Sequence, residues 1–99
     1  MEEKLEITIM TPSEEEKAFM VMQPVWGCGI GNFNWLYDDK IISWLTEGEA
    51  TISYGGKSII IKAGDFVIFP KGLSCSWDVS KPVKKHFIID PEAAEDAQG

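Results

Sequence analysis

The sequence is poor in basic residues: nine lysines and arginines stand against sixteen aspartates and glutamates, and the formal net charge is −7. This negative charge repels the phosphate backbone of nucleic acids and the surface of anionic membranes. We therefore expect neither nucleic acid nor membrane among the partners. No apolar run approaches the roughly 20 residues that a membrane-spanning helix needs.

Targeting signals are also missing, and cysteine is scarce. The stretch MEEKLEITIM is acidic and lacks the basic segment followed by an apolar core that a secretory signal peptide requires. The two cysteines, Cys28 and Cys75, are far apart in sequence. They could form one disulfide, but an intracellular chain more often keeps such a pair as thiols. We expect a cytoplasmic protein.

A chain of 99 residues buries one modest core, which indicates a single small domain with any site inside it or between subunits. A hydrophobic fraction of 44% shows that this domain can fold. One short helix is predicted near the N-terminus, because Ser13 lies three positions before Glu16 in the spacing of a capping box. Residues 5–9 alternate apolar and polar side chains, which predicts an edge strand that could pair two copies of the chain.

Short strands separated by turn signals account for most of the remaining chain, and this pattern predicts an all-β barrel or sandwich. The alternating glycines near residue 29 are not followed by a helical pattern, so they do not match a phosphate-binding loop. Strands are predicted over residues 19–25, 33–37, 41–46, 49–54, 57–62, 66–69, 74–77 and 83–89. Loops or turns are predicted at residues 26–32, 47–48, 55–56 and 79–82.

Residues 64–78, GDFVIFPKGLSCSWD, read as strand, kink and strand. Pro70 lacks the N–H that a central strand donates and Gly72 adopts backbone angles closed to other residues, so the chain bends between the two segments. The order of Gly64, Pro70 and Gly72 is also the opening of the second cupin motif.

Residues 26–87 resemble the cupin_3 family, also called the domain of unknown function 861 (DUF861) group, which is named for ureidoglycine aminohydrolase and includes ethanolamine-utilisation cupins. The resemblance rests on Trp35 and Tyr37, on the Glu47-Gly48 pair, on AGDFVIFPKGLSCSWDV and on KPVKKHF. It implies a single-domain cupin of the RmlC-like superfamily: a jelly-roll β-barrel within residues 1–90, which is usually a homodimer. Residues 91–99 are small and acidic, and we predict a disordered tail there.

The metal ligands of the general cupin pattern are missing. Its two histidines fall on or beside Trp35 and Tyr37, its glutamate falls on Ile41, and its third histidine is replaced by Cys75. Isoleucine has no lone pair, and the indole of tryptophan only donates. We therefore expect no metal and no cofactor.

Two alternatives remain for the thiols and for the chain's single histidine. Cys28, Cys75 and His86 with a nearby carboxylate would suffice for zinc, or His86 could activate Cys75 as a nucleophile. The simpler interpretation is a buried structural thiol and a hydrogen-bonded structural histidine.

An aromatic-lined pocket is the other candidate site, because strand alternation can turn Trp35, Tyr37, Cys75 and Trp77 inward. The alternative is that these side chains simply fill the barrel. The complete set of candidate pocket residues is Trp35, Tyr37, Ser43, Cys75, Trp77 and His86.

The function that this pocket favours is metal-free binding of a small organic ligand, or a structural or partner-binding module. The alternative is a metal-dependent enzyme resembling ureidoglycine aminohydrolase or a cupin sugar-acid isomerase with a non-standard site.

Overall fold

The computed structural model describes residues 5–90, which form seven antiparallel strands and one short helix. The sheet has the strand order β1-β6-β4-β7-β2, with β5 added to β4 and β3 added to β7. This confirms the predicted all-β, single-domain cupin fold with a short N-terminal helix. The predicted tail at residues 91–99 lies outside the described residues. The elements are β1 Thr8–Met10, α1 Glu14–Met20, β2 Val25–Cys28, β3 Gly31–Leu36, β4 Ile41–Tyr54, β5 Lys57–Lys62, β6 Phe66–Phe69 and β7 Ser74–Ile89.

Helix α1 begins with the predicted capping box. Ser13 Oγ accepts a hydrogen bond from the Glu16 backbone N–H at 3.1 Å, and Glu16 Oε1 accepts one from the Ser13 N–H at 2.8 Å. The strand predicted over residues 19–25 is wrong except at Val25, because Phe19 and Met20 continue the helix and residues 21–24 form the turn that follows it. Burial of Met20, which is 1% exposed, outweighs the β preference of this apolar run. No helix among residues 5–90 is long and apolar enough to cross a membrane.

The glycine-rich loop predicted at residues 26–32 is also partly wrong. Val25–Cys28 is strand β2, which pairs with β7 so that Trp26 lies opposite Lys85 and Cys28 opposite Val83. The hydrogen-bonded partner strand overrides the loop preference of Gly27. Cys28 and Cys75 are both free thiols.

Two long strands, β4 and β7, replace the two turns that the sequence predicts at residues 47–48 and 79–82. The pair runs through both segments with register shifts between residues 45 and 50 of β4. Gly48 has φ 94°, and a Cβ atom there would overlap the carbonyl of Pro82 and lie 2.6 Å from Val83 Cα. Glycine at this position therefore allows a bulge where the two backbones touch, instead of a chain reversal.

The bulge divides the barrel into two parts that share β4 and β7. Before it, β4 pairs with β6 and with the second half of β7; after it, β4 pairs with β5 and with the first half of β7. The Gly55-Gly56 turn between β4 and β5 is confirmed, and both glycines have positive φ. Buried side chains alternate along β7, at Cys75, Trp77, Val79, Val83 and Lys85. Lys85 therefore continues an apolar series into the core.

Candidate functional site

A pocket of about 270 Å³ is lined mainly by aromatic side chains from β2, β3 and β7. Because alternate residues of a strand share a face, Phe33 and Trp35 of β3 lie on the same side of the sheet, as do Trp77 and Lys85 of β7 across the bulge. The volume is near the roughly 300 Å³ lower end for pockets that hold drug-sized molecules, so it suits a smaller one. The lining residues are Trp26, Phe33, Trp35, Leu36, Tyr37, Asp38, Asp39, Ile41, Trp77, Lys85 and Phe87.

The aromatic rings pack against one another and form a wall of stacked and edge-on contacts. Phe33 is stacked on Trp77 with ring centroids 5.6 Å apart and 14° between their planes. Trp26 lies 5.6 Å from Trp77 in a tilted arrangement. Tyr37 stacks on Phe69, with centroids 4.6 Å apart. These contacts fix the rings against the core, so the wall is preformed.

The polar centre of the pocket is the Lys85 ammonium, on a residue that is only 4% exposed. Its Nζ lies 5.1 Å from the ring centroid of Trp26, 4.8 Å from that of Phe69 and 5.2 Å from that of Trp77. It donates one hydrogen bond, to Ser43 Oγ at 3.1 Å. Among residues 5–90, no carboxylate forms an ion pair with it. Cation–π attraction and one hydroxyl thus replace a counter-charge.

Burial lowers the pKa of Lys85 to about 8, because removing the ammonium from water costs more free energy than removing the neutral amine does. The neighbouring thiols of Cys28 and Cys75 oppose this shift. Near neutral pH most of the population is charged, and about a tenth is neutral at pH 7. Lys85 can therefore act as a hydrogen-bond donor and, at mildly alkaline pH, as a free amine.

The two thiols and the phenol near Lys85 stay neutral at physiological pH. Burial raises the pKa of Tyr37, with the adjacent Cys75 as a second cause, and burial raises the pKa of both Cys28 and Cys75. The indole Nε1 of Trp77 is buried beside Tyr37 and Cys75, without a well-aligned hydrogen bond among residues 5–90. The Lys85 ammonium is therefore the charged donor of the pocket, and the carboxylates of Asp38 and Asp39 are its acceptors.

The residues singled out from the sequence occupy different places around this pocket. Trp35, Tyr37 and Trp77 line it, although Trp35 is 44% exposed and belongs to its rim. Ser43 is fully buried beneath Lys85. Cys75 is buried beside the pocket and is not part of its lining.

His86 does not join the pocket, which corrects its place in the predicted set. Its Nδ1 lies 2.9 Å from the Gln23 carbonyl oxygen, and its ring stacks on Trp44 at 6.3 Å. Neighbouring residues of a strand point to opposite faces, so His86 and the inward-facing Lys85 cannot share a site. This geometry matches the simpler interpretation of His86 as a hydrogen-bonded structural residue.

Sequence reasoning missed Lys85, Trp26 and Phe33. A signal for Lys85 was present, because it follows Val83 by two positions and so shares its inward face. Trp26 was hidden by the loop predicted for its glycine-rich surroundings.

The residues present do not fit a cupin metal. Cys28 and Cys75 lie near the Lys85 ammonium, whereas His86 faces away and holds the Gln23 backbone. No group of three His, Cys, Asp or Glu side chains suited to a metal ion occurs within residues 5–90. A buried ammonium also repels a cation placed in the same cavity.

Comparisons with known proteins agree with the fold. Residues 15–87 match the EutQ-like cupin domain family. Acetate kinase EutQ of Escherichia coli K12 is 32% identical over 59 residues, which are 60% of this chain and 25% of EutQ. The chain therefore spans about a quarter of the length of that curated relative.

Solved structures include a DUF861 family protein from Thermotoga maritima, which is 34% identical. It aligns with 86% of this chain and 100% of its own, with a TM-score of 0.81. The Clostridium difficile EutQ protein is 17% identical over 64% of this chain and 50% of its own, with a TM-score of 0.59. At that identity the second structure supports the fold alone.

Proposed function

This chain belongs to the EutQ-like cupin domain family, and on that premise we propose that it binds a small organic molecule in the aromatic pocket through Lys85 rather than through a metal. The observation that carries the proposal is the Lys85 ammonium, which is buried without a carboxylate partner among residues 5–90. An unpaired buried charge is costly to keep. A ligand with an acceptor oxygen would supply the missing partner.

The pocket walls favour a flat apolar body attached to that oxygen. Trp26, Phe33 and Trp35 are only partly buried and present ring surfaces on which a planar group can stack, and the volume admits a molecule about the size of a single substituted ring. Asp38 and Asp39 also line the pocket, and their carboxylates disfavour multiply charged anions. The proposed ligand class is therefore a small planar molecule that is neutral or carries one negative charge.

Titrations with benzoate, benzamide and benzyl alcohol test this function, because the three probes share a ring and differ in the acceptor. Binding is followed by tryptophan fluorescence in the wild type, in Lys85→Met and in Lys71→Met, whose exposed lysine is the control. We expect Lys85→Met to weaken benzoate about tenfold or more, since a hydrogen bond to a charged group contributes about 1.5 to 3 kcal/mol. Equal affinity of benzoate for the wild type and Lys85→Met would refute the role of Lys85.

We also propose that the chain forms a homodimer through the edge strand β1. All three residues of β1 are exposed, and within residues 5–90 the strand pairs on one side only, with β6. Ile9 and Met10 are 40% and 41% exposed, which is unusual for large apolar side chains on a free edge. Light scattering of the wild type should give twice the monomer mass, and Ile9→Lys should give a folded monomer. A monomeric wild type would refute this proposal.

A further inference from the structure

We propose that the Lys85 amine condenses with the carbonyl carbon of a small aldehyde bound in the aromatic pocket and forms an imine with it. This inference rests on the proposed function in one respect, because the aldehyde must enter the same pocket. It adds covalent chemistry to that function and narrows the ligand class to carbonyl compounds.

The position of the amine supports this chemistry. Lys85 lines the cavity, and its Nζ is surrounded by the rings of Trp26, Phe69 and Trp77, with Ser43 Oγ as its hydrogen-bond acceptor. A lysine in an apolar pocket is a suitable nucleophile because its neutral form costs less to bury than its ammonium. No carboxylate among residues 5–90 holds the proton on this nitrogen.

The groups that surround the amine do not hold its proton. The thiols of Cys28 on β2 and Cys75 on β7 are protonated near neutral pH, since burial raises the pKa of each, and Tyr37 is likewise neutral. From β4 the facing group is the Ser43 hydroxyl, and from β6 it is the Phe69 ring. The carboxylates of Asp38 and Asp39 belong to the pocket lining but form no ion pair with Lys85.

The reaction balances without any further reagent. The lone pair of neutral Nζ forms a bond to the carbonyl carbon while the carbonyl π pair moves to oxygen, and one amine proton is transferred to that oxygen, giving a carbinolamine. The C–O bond then breaks, the second amine proton leaves with the hydroxyl as water, and a C=N bond remains. Ser43 Oγ, 3.1 Å from Nζ, is placed to accept and return a proton during these transfers.

The other lysines provide an internal comparison. Lys71, Lys81 and Lys84 are exposed, and the hydrogen bond and charge of Glu6 raise the pKa of Lys57. The raised pKa keeps the Lys57 amine protonated at neutral pH, so it reacts slowly with a carbonyl. Burial of Lys85 has the opposite effect on its pKa, which makes it the preferred lysine.

The test uses benzaldehyde with sodium cyanoborohydride, which reduces the imine to a stable benzylamine. Intact mass and peptide mapping locate the label in the wild type, in Lys85→Met and in Lys84→Met, which removes the exposed neighbour. At pH 7.5 we expect labelling of Lys85 to exceed that of every other lysine about tenfold or more. The label should persist in Lys84→Met and should disappear from this peptide in Lys85→Met. The α-amino group, with an ordinary pKa of about 8, is counted separately in every variant.

A second measurement on the wild type separates the two proposals and does not depend on the variants folding. Benzyl alcohol has the same ring without a carbonyl, so it should bind and protect Lys85 from the label. If benzyl alcohol binds the pocket and Lys85 is labelled no faster than the exposed lysines, the imine inference is wrong and the binding function stands. If neither compound binds, both proposals are wrong.

Discussion

Replacing Lys85 with methionine is expected to stabilise the protein at neutral pH while it removes the polar centre of the pocket. Burial lowers the Lys85 pKa from its ordinary value of 10.5 to about 8, a difference of 10.5 − 8 = 2.5. At about 1.36 kcal/mol for each pKa unit, keeping the charged amine in the folded state costs about 3 kcal/mol. Methionine has a similar length and carries no charge, so the variant avoids this cost.

The variant also loses interactions that partly offset the gain. The hydrogen bond to Ser43 and the cation–π contacts contribute about 1 kcal/mol together once competition with water is included. The net expectation at pH 7 is a variant more stable than the wild type by about 2 kcal/mol. For a domain of this size, that corresponds to a rise in melting temperature of roughly 10 °C.

The pH dependence gives the sharper test. Between pH 8 and pH 10.5 the unfolded wild type binds more protons at this lysine than the folded one does, so the contribution of Lys85 to stability rises with pH. Cys28, Cys75 and Tyr37 titrate in the same region and push stability the other way, because their folded pKa values are raised. The Tyr37 contribution is common to both proteins and cancels in the difference. The Lys85 charge lowers the pKa of Cys28 and Cys75, so its loss raises their pKa further in Lys85→Met, which makes the variant less stable towards alkaline pH and acts in the same direction as the expected trend.

Urea unfolding of the two proteins at pH 7, 8, 9 and 10, with reducing agent present, measures this difference. The advantage of Lys85→Met should be largest at pH 7 and should shrink steadily towards pH 10. Lys71→Met, at an exposed position, should show no such trend. A less stable Lys85→Met at pH 7, or a stability difference that does not change with pH, would refute the burial argument.

Three further predictions concern other parts of the structure. Gly48→Ala should destabilise the fold by about 3 kcal/mol or more in urea unfolding, because the φ of Gly48 is positive and an added Cβ would overlap the β7 backbone. The control Gly29→Ala, at a position with open space around it, should change stability little. Similar losses in both variants would refute the bulge argument. Ser13→Ala should cost about 1 kcal/mol by removing the helix cap, and an unchanged midpoint would contradict its role. The buried Cys75 should react with a thiol reagent at pH 8 more slowly than the half-buried Cys28, and equal rates would contradict their burial.

The sequence predicted the elements whose signals are local. Ser13 and Glu16 form a capping box within one turn, and Gly55-Gly56 reverses the chain between two alternating strands. The turns predicted at residues 47–48 and 79–82 failed for a non-local reason. Gly48 and Pro82 interrupt a strand only if each segment is considered alone, whereas in the fold they face each other across the β4–β7 pair and form one bulge.

The candidate site shows the same division between local and non-local information. The aromatic residues Trp35, Tyr37 and Trp77 could be identified by composition and alternation, and they line the pocket. Lys85 was not predicted as a site residue because a lysine on a short strand is ordinarily solvent-exposed. The adjacent His86 was predicted instead because it is the only histidine in the sequence. The burial of Lys85 depends on the rings of Trp26 on β2 and Phe69 on β6 together with Trp77 on its own strand, and no local pattern reports these contacts.

The central claim is that the aromatic pocket binds a small planar ligand at Lys85. The most direct test is an NMR titration with benzoate at pH 7 that follows the indole N–H resonances of the four tryptophans. Trp26, Trp35 and Trp77 line the pocket, whereas Trp44 stacks on His86 outside it. The account predicts saturable shifts of the first three signals, little change in Trp44, and much weaker binding to Lys85→Met. Unchanged resonances of the three lining indoles, or equal binding by Lys85→Met, would contradict it.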